Sequence, residues 1–570
     1  MIRARGYGLN RHGGILARTG LSIVAGLMLG AALTGCGGDD AGFANRLEPA
    51  IAADGTKTLR YGNQTEPGTL DPHKASGVPA ANVLRDLYEG LVITGPNDEV
   101  IPGVAKSWTI SEDRLTYTFK LRDDARWSNG QPVTAGDFVY SLRRAVAPAT
   151  ASPYADIHAP IKNAAAIINN KAPPDTLGVS APDAHTLVIR LKQPTPFFLQ
   201  TLTHPSSDPV YRPAVERWGD SFTQPGHAVT NGAYTMDAWR VNERIRLKRN
   251  PYYWDNADTA IDRVEFYPIE DGNSELSRYQ AGGLDWAASV PPAATARIKQ
   301  HIPDQYHAVP TIGIAYLGLN MRRAPFADNR KLRLALSMAL DREVITDKIL
   351  RGGQPTLYSA VPDTVRGYTP VEYAWKDWPD DKREARARQL YHEAGYSDDH
   401  PLHAEYLYPS GGVGKTLGLV AVAMWRKVLG ADITPINQEW KVYLQTARQG
   451  YDTQIFWGGW IGDYDDPNTF FSIFNSEAAL NYTGYDSAAY DAAQQRSSHT
   501  PRGPERTALM HKAEATLLHD APIIPVFVYT YHQLIKPYVT GYQPSALGNY
   551  YSKNFDIRPR DGSTPQTGTH

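Results

Sequence analysis

The sequence predicts a mixed α/β protein, and three features carry that reading. Strand-like alternation recurs, as in Thr116-Tyr117-Thr118-Phe119-Lys120-Leu121 and Arg244-Ile245-Arg246-Leu247-Lys248. Helical periodicity is interleaved with it, over residues 329–340 and 384–394. Forty-two prolines and 48 glycines, often close together as in Gly130-Gln131-Pro132, favour many short connections over long helices. No internal repeat at solenoid periods is visible.

The N-terminus stands apart. Arg3, Arg5, Arg11 and Arg18 precede an apolar run over residues 21–33, the charge and length pattern of a secretory signal peptide over residues 1–35. The run is shorter than the roughly 20 residues a bilayer-spanning helix needs, and no second run of that kind follows. Leu33-Thr34-Gly35-Cys36 resembles a bacterial lipobox, which makes Cys36, the single cysteine of the chain, the expected lipidation site. An ordinary signal peptide with an incidental cysteine is the alternative. Residues 36–57, small and polar, read as a tether, and residues 559–570 as a frayed tail.

Cleavage before Cys36 removes four of the 58 basic residues and no acidic one, leaving 54 against 60 and a net charge of −6. Nucleic acid is therefore an unexpected partner. The 570 residues exceed what one hydrophobic core serves, so two or three domains are expected.

Two segments invite a chemical reading. Ser410-Gly411-Gly412-Val413-Gly414-Lys415-Thr416 lies between a strand-like and a helix-like stretch, where a phosphate-binding loop would sit. The first glycine of that motif is replaced by Pro409, which has a fixed φ and no amide hydrogen, so the segment reads as a Gly-rich strand-to-helix turn. The run Phe456-Trp457-Gly458-Gly459-Trp460-Ile461-Gly462 leads into Asp463-Tyr464-Asp465-Asp466-Pro467. Glycines admit a second backbone, indoles offer flat walls, and a carboxylate suits an ammonium group. A buried strand ending in a solvated acidic turn fits the same residues. No nucleophile elbow, metal helix or paired histidines at ligand spacing occur, so neither catalysis nor a metal or other cofactor is expected.

Several stretches together resemble the solute-binding proteins of peptide importers, and most closely their oligopeptide-binding members. They are Leu70-Asp71-Pro72-His73-Lys74 with Gly77-Val78-Pro79, Arg85-Asp86-Leu87-Tyr88-Glu89-Gly90-Leu91, and Pro102-Gly103-Val104-Ala105 with Ser107-Trp108. The longest runs from Tyr117 through Trp127-Ser128-Asn129-Gly130-Gln131-Pro132-Val133-Thr134-Ala135 to Asp137-Phe138-Val139-Tyr140. Thr230-Asn231-Gly232-Ala233-Tyr234, Arg249-Asn250-Pro251-Tyr252-Tyr253-Trp254 and Asn437-Gln438-Glu439-Trp440-Lys441 extend it.

The resemblance implies a two-lobed periplasmic-binding-protein fold with a hinge and three discontinuous domains. Domain I is expected over 58–88, 214–314 and 531–558, domain II over 89–213 and domain III over 315–530. It implies a monomer outside the cytoplasm, membrane-anchored through its lipid, that closes on an extended peptide and hands it to permease and ATPase subunits of an ATP-binding-cassette importer. Ser76, Gly77 and Val78 match one strand flanking the ligand and Gly459, Trp460 and Ile461 the other. Asp463 matches the carboxylate that holds the peptide α-ammonium, with Tyr154 assisting, and Trp440 and Tyr529 match pocket walls. The family pattern departs where basic residues meet the far end of the ligand: Trp457 and Ala447 stand at expected arginines and Gly414 at an expected histidine, with Arg448 and Lys415 adjacent. Specialised cargo on the same fold (a murein peptide, a dipeptide or a chelate) and a peptide-sensing lipoprotein are the alternatives.

Overall fold

Alternation becomes sheet where the sequence predicts it. In the strand Thr116–Leu121, Tyr117, Phe119 and Leu121 face the core while Lys120 faces water. This strand is central in a four-stranded antiparallel sheet with Ala105–Ile110, Thr186–Arg190 and Val179–Asp183. The helix Ala135–Val146 buries Phe138 and Leu142 against it. That helix starts at Thr134, where a capping box with Asp137 satisfies otherwise orphaned amides.

The computed structural model describes residues 50–559 except Gly411, Tyr451 and Asp452. These belong to one unit, residues 45–570; the signal peptide and Cys36 lie outside the described residues, as do residues 560–570 of the expected tail. Folded chain begins ahead of the expected start at Thr58. Ile51 bridges Lys57, and Ala50 is buried in the same core as Leu59, because the turn between them returns the chain onto the first strand.

A ten-stranded mixed sheet organises the rest. Its order is Asp432–Gln438, His403–Pro409, Ile455–Ile461, Tyr306–Leu319, Ile523–Ile535, Trp286–Ala287, Thr58–Gly62, Arg263–Tyr267, Arg244–Arg249 and Tyr234–Arg240. The two longest strands, Tyr306–Leu319 and Ile523–Ile535, run side by side through its middle, with register shifts between Pro310 and Ile314 and between Ala315 and Tyr316. They cross from one lobe to the other. Their Val309 and Leu534 ends lie beside a core of Leu59, Tyr61, Val264 and Trp286, while their other ends enter two cores on opposite faces of the sheet. One holds Leu317, Leu336, Tyr406 and Trp425, the other Tyr316, Phe456, Phe471 and Tyr490. The predicted helical stretches appear as Arg330–Met338 and Asp380–Glu393.

Candidate functional site

The strand Ile455–Ile461 pairs antiparallel with Tyr306–Leu319 along its whole length, Gly459 opposite Ala315 and Ile461 opposite Gly313. On its other side it meets His403–Pro409 only through Ile455 and Phe456. Past Phe456 the strand therefore has a ladder partner on one side only. The Gly462 amide donates to the Ile312 carbonyl at 2.8 Å, which fixes the phase of the ladder. By antiparallel alternation Trp460 and Gly458 bond inward, and Gly459 and Ile461 direct N–H and C=O to the open edge. The glycines are needed here: a Cβ at Gly458 would strike the Tyr316 ring, and one at Gly459 the Tyr529 hydroxyl.

Beyond this strand the three aspartates separate. Asp465 is buried and accepts from the Arg366 amide at 3.0 Å and Nε at 2.8 Å. Asp466 is buried in a bidentate pair with Arg506, at 2.7 and 2.9 Å. Asp463 has no cation or hydrogen-bond donor at its carboxylate among the described residues. It is open to the water of the cleft, yet surrounding protein strips enough solvation to raise its carboxyl to about 6.

Asp463 lines a cavity of about 250 Å³ with Ile461, Gly462, Tyr154, Ser76, Gly77 and Val78. Six of the predicted site residues are thus brought together from segments far apart in sequence. Burial, and then the Asp463 charge, raises the Tyr154 phenol above its ordinary range. Ser76, Gly77 and Val78 do not form a strand as expected. Gly77 takes φ 84°, a backbone state that favours glycine, and Val78 with Pro79 opens the helix Val78–Leu87, so the segment presents a turn and a helix start to the cavity.

The remaining predicted residues stand elsewhere. Trp460 and Gly459 lie on the one-sided strand, with Tyr529 half-buried across the sheet from Gly459. Trp440 is exposed at the start of the helix Trp440–Gln449, stacked on Tyr443, and Arg448 is exposed in that helix's last turn; neither lines the cavity. Where basic residues were expected, Ala447 is buried, Trp457 packs between two cores, and Gly414 lies under the Trp457 indole. Lys415 is exposed in the first turn of the helix Gly414–Leu429, which follows the strand His403–Pro409.

Sequence reasoning missed Arg85, His204, Tyr531 and Asn549, which also line the cavity. For Arg85 a signal existed: Val78, Ala81 and Arg85 repeat at helical spacing and share the face that lines it. Nothing local marks the others.

The turn after Asp463 also touches the opposite lobe. The Tyr464 ring stacks on Phe197 at 4.9 Å and 7°. Arg366, held by Asp465, donates to the Asp98 carbonyl at 2.7 Å, and Arg502, 3.5 Å from Asp466, donates to the Pro196 carbonyl at 3.3 Å.

Residues 99–482 match the family model described as bacterial extracellular solute-binding proteins, family 5 Middle. The chain is 39% identical over 540 residues to the periplasmic oligopeptide-binding protein OppA of Escherichia coli, covering 94% of this chain and 98% of that one. Among solved structures, the murein tripeptide-binding protein MppA in its unliganded open form is 38% identical with a TM-score of 0.78, over 89% of this chain and 98% of the other. Haemophilus influenzae OppA in complex with RPPGFSPFR is 36% identical with a TM-score of 0.74, over 88% and 99%. With two lobes joined by two long strands and matches of this extent, the protein belongs to the bacterial extracellular solute-binding proteins of family 5 and has their two-lobed α/β periplasmic-binding-protein fold.

Proposed function

We propose that this protein is the extracytoplasmic receptor of an ATP-binding-cassette importer, capturing short peptides in an extended conformation and catalysing no reaction on them. The observation that carries the reading is Asp463, a carboxylate facing the cleft without a cation, at the end of a strand whose outer edge is open. A peptide α-ammonium placed there supplies the missing charge, and its first residues continue the sheet along Gly459 and Ile461. Main-chain bonding of this kind reads no side chains, which suits a receptor for many sequences. A ligand touching both lobes favours the closed form, and the permease reads that form.

The separate cores support the division into domain I over 58–88, 214–314 and 531–558, domain II over 89–213 and domain III over 315–530. Signal-peptide cleavage before Cys36 and lipidation of its thiol would hold the receptor, as a monomer, at the membrane face where its permease sits.

Titration calorimetry on protein unfolded and refolded to remove bound ligand tests the proposal, with free and N-acetylated tri- to pentapeptides. Tight binding abolished by acetylation is the expected result. A murein tripeptide belongs in the same panel, because a relative named as a murein peptide-binding protein is also 39% identical, over 479 residues. Heat from that ligand alone would assign specialised cargo, and heat from none of them would overturn the peptide reading.

A further inference from the structure

We propose that Arg85 is a carboxylate receptor within the same cavity, so that the protein favours peptides carrying a second charge, a carboxylate, close to their N-terminal residue. The inference rests on the peptide reading of Asp463 and adds a substrate preference to it.

Arg85 sits in the last turn of the helix Val78–Leu87 and lines the cavity. Its Nε is buried without a hydrogen-bond partner, and its Nη1 makes only a long 3.4 Å contact to Asn82. No ion pair to it is found among the described residues. The fully buried Arg506, Arg383 and Arg342 have their acceptors in Asp466, in the Met338 and Leu340 carbonyls, and in the Leu357, Pro525 and Ser337 carbonyls, whereas Arg143, Arg244 and Arg323 share a buried, unpartnered Nε with Arg85, and of these four Arg85 is the one that lines the cavity. A guanidinium kept half-buried with unused donors is costly unless something else supplies the acceptor.

The charges that line the cavity point to the chemistry of that acceptor. Arg85 and Asp463 are its only lining residues with a formal charge at neutral pH. Burial pushes His204 down to about 3 and keeps it neutral, burial keeps the Tyr531 and Tyr154 phenols protonated, and Asn549 is neutral. Asp208 feels the Arg85 charge, which opposes the rise that burial gives its carboxyl, but no hydrogen bond or ion pair joins the two among the described residues. The site therefore presents one anion and one cation, each unpaired, to the same volume. A ligand that gives its ammonium to Asp463 can give a carboxylate to Arg85. The alternative cation positions do not serve: Trp457 and Ala447 are apolar and packed, and Arg448 lies outside the cavity.

Two ligand carboxylates fit this chemistry, an acidic side chain near the N-terminus or the C-terminal carboxylate of a very short peptide. Calorimetry of the refolded protein distinguishes them. One arm compares alanine pentapeptide amide with the same amide carrying Glu at position 1, 2 or 3. The other compares trialanine with trialanine amide. At least one carboxylate should tighten binding by about tenfold or more, the range of a charge-assisted hydrogen bond. Arg85→Met should erase that gain while leaving the neutral pentapeptide amide bound, and Arg85→Lys should retain part of it. Equal binding of neutral and acidic ligands by the wild-type protein would sink the inference with the peptide reading intact, whether or not Arg85→Met folds. A gain that survives Arg85→Met would sink it too. Failure of every peptide, neutral ones included, would remove the peptide reading and this inference together.

Discussion

Asp465 and Asp466 are each held by an arginine, and Asp463, two and three positions earlier, is not. The difference sets what each substitution does. Asp463→Asn keeps the shape and removes the charge, so peptide affinity should fall about ten- to a hundredfold while the melting temperature stays level or rises. Asp466→Asn leaves Arg506 buried without its counter-charge, a loss on the order of 3–5 kcal/mol of stability, visible in a denaturant melt. The Asp463 carboxyl also predicts a pH dependence. Ligand ammonium binds the carboxylate form, so the complex holds this pKa below its free value of about 6. Affinity should then be full above pH 6 and decline as pH falls through it, approaching tenfold per unit. Calorimetry at pH 7.5, 6 and 5 checks this, and a flat profile would show that Asp463 does not meet the ammonium.

At the scale of the element, the strand Ile455–Ile461 does two jobs with its two edges. One edge closes on Tyr306–Leu319, and the other offers the Gly459 and Ile461 groups. Ile461→Pro removes a donor from the open edge only, a position where a sheet tolerates proline. The fold should persist by circular dichroism, and peptide affinity should drop about fivefold or more for one lost main-chain hydrogen bond. Wild-type affinity in this variant would mean the ligand does not add to that edge. Much of this was legible in the sequence. The alternation of Thr116–Leu121, the helices near 330 and 384, and the Gly-rich strand before the aspartates all carry local signals. What stayed hidden depends on pairing across long separations. The acidic cluster reads as one turn, and only the folded chain brings Arg366 to Asp465 and Arg506 to Asp466. Ser76–Val78 carried a family match for a strand, but the positive φ of Gly77 and the proline after Val78 start a helix instead. Arg85 reads as a surface helix residue until the fold gathers Tyr61, Tyr531 and Tyr551 around it.

At the scale of the whole molecule, the sheet runs unbroken from one lobe into the other through two strands, so closure must bend those strands or shift their register. The irregularities at Pro310/Ile314 and Ala315/Tyr316 lie where that bending would be easiest. The turn that carries Asp463 takes part in holding the lobes together. Tyr464 stacks on Phe197, Asp465 positions Arg366 on the Asp98 carbonyl, and Asp466 lies beside Arg502 on the Pro196 carbonyl. Binding at Asp463 and contact between lobes therefore share one short segment, and a ligand that orders the segment also sets the contacts. Phe197 is buried but stands outside the four large cores and does not line the cavity, which makes it a suitable place to test the coupling. Phe197→Ala removes an aromatic pair worth about 0.5–1.5 kcal/mol to the closed state. If closure limits affinity, the apparent dissociation constant scales inversely with the closed fraction, and it should rise about two- to tenfold for every peptide alike. Small-angle scattering should show an unliganded variant at least as extended as the wild-type protein, returning to the closed dimensions at saturating peptide. Unchanged affinity together with unchanged scattering would mean that the Phe197–Tyr464 stack is a passive contact and that closure is held by the ligand alone.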